Sequence, residues 1–390
     1  MTPADRLPVE IWVDILLLAV EPDVGPSVFA TTCTASTFIH FITQENYSYI
    51  EYTRRRATLR RVCRAWNETV LSTDCWWIHL PTPTQILVSP STTDQVRTIK
   101  RLSMAAMDRQ YVEHWVNWAS DVLQRVQTPL ITYDVTFPLC NDGYYACPKT
   151  HALHDFLPGV GSKIALRRLR VVFPNLNDCR TISFSHLNAN FKNLVSLSLC
   201  NLIVFSPQEL TLPQLEVLHL ATFMGALPSP TQEWDLPRLR HVCVDGNLYP
   251  PYIDYWLKFL RRYASQLETL FLSVQSRWDD FPLDFWDSFT ALQLLGLPYN
   301  VLTDRGWGGW ITTPPRTHPF RYLVCRYCSD VVATVDSLES IWTYHGEVGL
   351  VIEGDNSGQY YLIEDIEEKG WKTRMTESDG ILPDRRQSLD

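Results

Sequence analysis

No stretch of this chain stays apolar for the roughly 20 residues that a membrane-crossing helix needs. Its longest apolar run, LPVEIWVDILLLAV at residues 7–20, spans 14 residues and is interrupted by Glu10 and Asp14. Asp5 and a single Arg6 precede it and Pro22 follows, which is not the positive n-region and small-residue cleavage site of a secretory signal. Positive charge is also short, with 34 lysines and arginines against 43 carboxylates. A chain of net −9 has no general field for neutralising phosphates, which argues against nucleic acid as a partner. The 10 cysteines follow no close, regular spacing. Without an export signal they read as reduced thiols of a cytoplasmic or nuclear protein, and the glycosylation acceptors at Asn46 and Asn67 carry no consequence. No nucleophile elbow, phosphate-binding loop, dinucleotide fingerprint or HExxH motif occurs, so the chain reads as a non-enzyme with no cofactor.

What the sequence does have is apolar and aromatic content, 45% and 12%, enough for a substantial core in two or three domains. The charge excess is uneven. Between Glu347 and Asp390 there are 11 acidic and 5 basic residues, so the body of the chain is close to neutral. In the run at 7–20, Pro8 suits a first helical turn, and Ile11, Ile15 and Ala19 follow the i, i+4 spacing, as do Trp12 and Leu16. Because 11 of its 14 residues are apolar, that helix is hydrophobic almost all round and has to be covered on more than one side.

From residue 166 one pattern, apolar-x-x-apolar-x-apolar, recurs. It appears as LRRLRV at Leu166, LVSLSL at Leu194, LEVLHL at Leu215, LRHVCV at Leu239, LETLFL at Leu267, LQLLGL at Leu292 and FRYLVC at Phe320. The copies are 21 to 28 residues apart, the period of leucine-rich repeats, which the segment resembles. Positions four and six of each copy should lie on one face of a short strand and stack into a shared core that no single rung could form. IKRLSM at Ile99 and LITYDV at Leu130 are two further candidate rungs, and the Pro-bearing segments between copies predict tight turns rather than long helices. PYIDYWLKFLRRYASQ, before Leu267, predicts an outer helix. Position nine, where such repeats place Asn or Cys, holds Asn247, Asn300 and Cys328, whereas Pro174, Leu202, Phe223 and Gln275 depart, so an irregular solenoid is expected.

Few residues suggest chemistry. Cys325 and Cys328 form a C-x2-C pair, but the repeat accounts for both as rung positions. Cys140, Cys147, His151, His154 and Asp155 are competent ligands within 16 residues, yet their C-x6-C-x3-H-x2-H spacing is not that of structural zinc, and no metal is expected. RRRATLRR reads as the solvated face of a helix that could meet an acidic partner, and RGWGGW, at 305–310, as a loop with interface-type aromatics.

A second helical region ends in LRRVCRAWNETVLSTDCWWIHL, where Leu59, Val62, Cys63, Trp66 and Val70 follow the 3.6 period. There Ser72, Thr73 and Asp74 would cap a short third helix starting near Cys75. The opening Leu7-Pro8-x-Glu10-Ile11, the Val62-Cys63-x-x-Trp66 and the closing Ser72-Thr73-x-x-x-Trp77 together resemble the F-box. That resemblance, covering about the first 80 residues, implies an adaptor-binding module whose helices are covered by a Skp-type adaptor and, through it, joined to a cullin. Leu7, Pro8, Ile11, Ile15, Val62, Trp66 and Trp77 are the contacts or the frame it implies. The motif here spans 71 residues, longer than is usual, which places an insertion at about 21–58.

The expected architecture is α/β: a small all-helical F-box domain over residues 1–80, an irregular leucine-rich-repeat solenoid over 81–345, and a closing region over 346–390. In the last, VGLVIEG and QYYLIED should pair across DNSG as a hairpin capping the last rung, ahead of an acidic tail expected to be disordered. The function expected from the resemblance is a substrate receptor of an SCF-type ubiquitin ligase, its repeats holding an unknown protein target through exposed strand positions and rim loops. Two rivals stay open: a leucine-rich scaffold with an F-box-like cap and no ligase role, and a metal-dependent enzyme centred on Cys140 to Asp155.

Overall fold

The computed structural model describes residues 11, 48–72, 77–80, 101–105, 132–136, 166–172, 184–200, 203–204, 209–221, 224–225, 234–245, 250–273, 285–298, 314–315, 317–328, 349–354, 360–367 and 370–376. They form a mixed α/β protein divided into two compact units, Met1–Asp178 with Ala189–Leu194, and Cys179–Asn188 with Val195–Asp390. None of the described helices is long and apolar enough to cross a membrane.

In the first unit, helices α1 (Ser48–Arg60) and α2 (Arg64–Ser72) precede four parallel strands, β1 (Trp77–Leu80), β2 (Arg101–Ala105), β3 (Thr132–Thr136) and β4 (Arg168–Val172). Strand β1 stands where a short third helix was expected. WIHL is built from residues that favour a pleated surface, and its pairing of Trp77 with Arg101 adds it to the parallel ladder, outweighing the capping signal at Ser72 to Asp74. Strands β2 and β3 fall on the two candidate upstream rungs, and Arg101, Thr132 and Arg168 align as the third residue of each copy.

The second unit contains α3 (Phe184–Asn190) except its last two residues, β5 (Ser196–Cys200), β6 (Ile203–Val204), β7 (Val217–Ala221), β8 (Met224–Gly225) and β9 (His241–Asp245). After these come α4 (Pro250–Tyr263), β10 (Thr269–Ser273), α5 (Phe285–Ser288), β11 (Leu294–Pro298), β12 (Tyr322–Cys328), β13 (Gly349–Gly354), β14 (Tyr360–Glu367) and β15 (Gly370–Thr376). Strands β5, β7, β9, β10, β11, β12 and β13 form a parallel run, to which β14 and β15 are added antiparallel, while β6 and β8 pair separately. Within that run, each of β5, β7, β9, β10, β11 and β12 starts at position three of a sequence copy, and position three pairs with position three: Ser196 with Val217, Val217 with His241, His241 with Thr269, Thr269 with Leu294, Leu294 with Tyr322. The expected hairpin is present as β13 and β14, with Leu350 opposite Ile363. GWKTRMT, assigned to the tail by its charge, instead forms β15 against β14.

A repeated turn explains the constant phase. The amide of position one donates to the carbonyl three residues earlier in five successive copies: Leu194 to Phe191, Leu215 to Leu212, Leu239 to Leu236, Leu267 to Ala264 and Leu292 to Phe289, at 3.0 to 3.3 Å. Pro213 and Pro237 occupy the second place of two of these turns, where their fixed φ is favourable. The amides at positions two and three then converge on the carbonyl of position two in the preceding rung, as when Glu268 and Thr269 both donate to Arg240. Each rung thus begins from a closed turn that fixes its register against the rung before it.

Positions four and six are buried throughout, from Leu197 and Leu199 through Leu218 and Leu220 to Leu323 and Cys325. Against them pack aromatic side chains, with Trp234 edge-on to Phe184 and Phe259, and Phe285 stacked on Phe289. Helix α4 supplies Trp256, Leu260 and Tyr263 at helical spacing, and its last-turn Arg261 and Arg262 suit a helix C-terminus. Positions three and five were expected to stay exposed. From β5 to β11 they are buried instead, including Ser198, His219, His241, Cys243, Thr269 and Phe271, so these strands are covered on both faces as parallel sheets usually are.

Candidate functional site

Of the residues implied as adaptor contacts, Leu7, Pro8 and Ile15 lie outside the described residues. Ile11 is helical and 44% exposed. Trp77 lies in β1, paired with Arg101. Val62 and Trp66 belong to the α1–α2 pair, whose local geometry departs from the single 3.6-period stripe expected for Leu59, Val62, Cys63, Trp66 and Val70. The helix breaks at Arg61 to Cys63, where the amides of Arg61 and Val62 donate to Thr58 and Leu59 as a closing turn. Cys63 then starts α2 by accepting the Trp66 amide on Sγ at 3.4 Å, a thiol in the N-cap role usually taken by Ser, Thr, Asp or Asn.

The break redistributes the stripe. Val70 is buried, Leu59 and Trp66 are half-buried, and Val62 and Cys63 point into solvent, Val62 with 55% of its surface exposed. The other end of α2 is held by Arg56, whose Nη2 donates to the Val70 carbonyl at 3.2 Å. On the outer surface Arg60 donates from Nε to Asn67 Oδ1 at 3.0 Å, and Arg64 pairs with Glu68 at 2.8 Å with both side chains largely in water. An isolated ion pair of that kind contributes at most about 1 kcal/mol. The result is a two-helix element with a buried anchor on one side and an apolar tip ringed by guanidinium groups on the other.

Ile11 and Val62 are the exposed large apolar side chains among the described residues. Both are positions the F-box resemblance implies as contacts or frame. Neither stands out by sequence pattern alone, because the helical period assigns Val62 to the same buried face as Val70.

The metal-ligand candidates Cys140, Cys147, His151, His154 and Asp155, the RGWGGW loop, and Asn247 and Asn300 lie outside the described residues. Cys325 is fully buried at position six of its rung, as the repeat reading expected, whereas Cys328, expected in the turn after the strand, is still the last residue of β12. Among the described residues no three His, Cys, Asp or Glu side chains come together as a metal site.

Two histidines that the sequence reading passed over lie inside the sheet. His219 Nδ1 meets Ser198 Oγ at 3.0 Å, and His241 Nδ1 meets Thr269 Oγ1 at 3.0 Å, each bridging neighbouring rungs. These pairs resemble an activated hydroxyl only in distance: all four residues are buried, so a substrate would have no access, and their evident role is to satisfy buried polar atoms. A histidine at an odd rung position is the signal that could have found them. Elsewhere burial raises the Glu216 carboxyl above its ordinary value despite Arg240 and Arg238, and lowers the His318 imidazole despite its bond to the Phe289 carbonyl.

A scan against protein-family models finds no match to this chain, and a search of curated proteins finds none either.

Proposed function

We propose that this chain is the substrate-recognition subunit of an SCF-type ubiquitin ligase, an F-box module that docks a Skp-type adaptor, joined to an irregular leucine-rich solenoid that holds a protein target. It carries no reaction centre of its own in this reading. The observation that carries it is the exposure of Ile11 and Val62, apolar side chains left in water at two positions that the F-box resemblance assigns to an adaptor-covered surface. The in-register parallel strands, one per sequence copy, support the solenoid half of the reading. Because strand positions three and five are buried from β5 to β11, this reading puts target recognition on rims and turns, where Arg238, Arg240 and Arg321 are exposed.

The test is co-expression with a Skp-type adaptor. Wild type should co-purify, and Ile11→Asp with Val62→Asp should not, while both give the same circular dichroism because the substituted side chains are already solvated. A wild-type chain that purifies alone and ignores the adaptor would overturn the ligase reading and favour the scaffold. Stoichiometric metal on the purified protein would instead revive the enzyme centred on Cys140 to Asp155.

A further inference from the structure

We infer that the α1–α2 turn is an electrostatically selective docking tip, whose partner is an acidic protein surface surrounding an apolar socket for Val62. This deepens the adaptor reading of the same element and rests on that reading for the biological identity of the partner, though not for its chemistry.

The charge is local and opposite to that of the chain. Residues 48–72 contain six arginines against Glu51 and Glu68, a net of +4 within a chain of −9. Of the three arginines at the turn itself, Arg60, Arg61 and Arg64, it is Arg64 whose charge a described ion pair offsets. Arg60 donates to Asn67, a neutral amide, so its positive charge is not cancelled by that contact. Glu68 is committed to Arg64. Arg60, Arg61 and Arg64 are all exposed, and between them Val62 holds 55% of its surface in water. An apolar tip framed by guanidinium groups is the arrangement of an interface anchor with a charged rim. The anchor supplies desolvation energy on contact, and the rim supplies orientation and rate.

Three partner classes carry the opposite charge. A nucleic acid backbone would satisfy the arginines but has no socket for a branched aliphatic side chain at their centre. An anionic membrane would take Val62, but membrane-surface helices present a continuous apolar face, and α1 exposes Ala57 and Thr58 beside its arginines instead. An acidic protein surface satisfies both features together.

The test uses the full chain and has two arms. In the first, affinity for a Skp-type adaptor is measured at low and high salt for wild type, Arg60→Glu with Arg61→Glu, and Arg60→Lys with Arg61→Lys. Charge reversal should weaken binding by about tenfold or more at low salt, the loss should shrink as salt screens it, and the lysine pair should retain most of the affinity. Adaptor binding that changes less than about twofold on charge reversal and with salt would overturn this inference and leave the proposed function standing.

In the second arm the probes are an Asp/Glu-rich helical peptide with central leucines, the same peptide with alanines, a single-stranded RNA and phosphatidylserine vesicles. Preference for the leucine peptide, lost in Val62→Asp and in the charge reversal, supports the inference even if the adaptor is ignored. Equal binding of both peptides, no binding of either, or stronger binding of RNA or vesicles overturns it.

Discussion

Tyr263 shows how one side chain can hold two segments a full repeat apart in the chain. Its hydroxyl donates to the Trp234 carbonyl and accepts the Leu236 amide at 3.3 Å, while its ring packs against Phe259. The hydroxyl and both of its backbone partners are buried, so Tyr263→Phe keeps the ring and removes the group that the Trp234 carbonyl and the Leu236 amide share. That loss should cost about 1–3 kcal/mol, read as a lower urea midpoint with an unchanged slope. The same scale carries a pH prediction of two signs. Burial lowers the His318 pKa from 6.5, and its Nδ1 is buried without a hydrogen bond, so the unfolded chain binds the proton first as pH falls. Stability from this group is full above 6.5 and is lost as pH drops below it. Burial raises the Glu216 pKa from 4.5, so the folded chain holds its proton longer, and that contribution is lost as pH rises from 4.5 through the raised value. Relative to wild type, His318→Gln should gain stability on acidification below 6.5, and Glu216→Gln should gain it as pH rises above 4.5. Urea titrations across mildly acidic pH check both, and parallel curves for all three proteins would contradict the assignment.

Elements differ in how much of them the sequence carries. The rung strands were legible because each begins at a fixed phase after an apolar residue, so that period alone locates β4, β5, β7 and β9 to β12 at the copies, and even β2 and β3 at the weaker copies at Ile99 and Leu130, whereas the short β6 and β8 lie off the period. The antiparallel hairpin was legible from its alternation and the intervening DNSG. The break between α1 and α2 was not, because the 3.6-period apolar spacing of Leu59, Val62, Cys63, Trp66 and Val70 runs straight through it. What restarts the chain as a second helix is a cysteine used as an N-cap, and cysteine carries no capping signal. Strand β1 was misread because the capping residues before it are local, whereas its pairing with β2 is made about 24 residues later in the chain. Charge misled in the same way at β15, where Lys372 and Arg374 alternate with Trp371 and Thr373 in a strand pattern that net acidity obscures. Of the candidate site, the charged ring could be read from RRRATLRR, but the exposure of Val62 depends on the turn and could not. Gly296 is an element-scale case with a direct test: it lies in β11 beside Phe271 of β10, and an added Cβ would run into the Phe271 ring. Gly296→Ala should therefore lower stability by about 1–3 kcal/mol although alanine suits a strand better, and Phe271→Leu in the same chain should recover part of the loss.

For the molecule as a whole, the consequence of a parallel sheet buried on both faces is that its cysteines become reporters of which face is open. Cys63 is exposed at the α1–α2 turn, Cys325 is buried at an even rung position, and Cys200 and Cys243 are buried on the odd face. An open strand ribbon would leave Cys243 at position five as reachable as Cys63. The observed burial predicts otherwise: under native conditions an alkylating reagent should modify Cys63 without waiting for the fold to open. Cys200, Cys243 and Cys325 should react only through opening of the fold. Because a group that must wait for opening is slowed by the opening equilibrium, even a local opening that costs about 4 kcal/mol reduces the rate roughly a thousandfold. Peptide mapping by mass spectrometry over time separates the outcomes. Slow and similar rates for Cys243 and Cys325 mean that both faces are covered, which under the proposed function leaves the rims for target recognition. A Cys243 rate near that of Cys63, with Cys325 still protected, would mean that the odd face is open and would return recognition to the strand surface. Adaptor added to the same reaction should protect Cys63 without changing the rung cysteines, because Cys63 borders the docking tip and the others lie within the sheet.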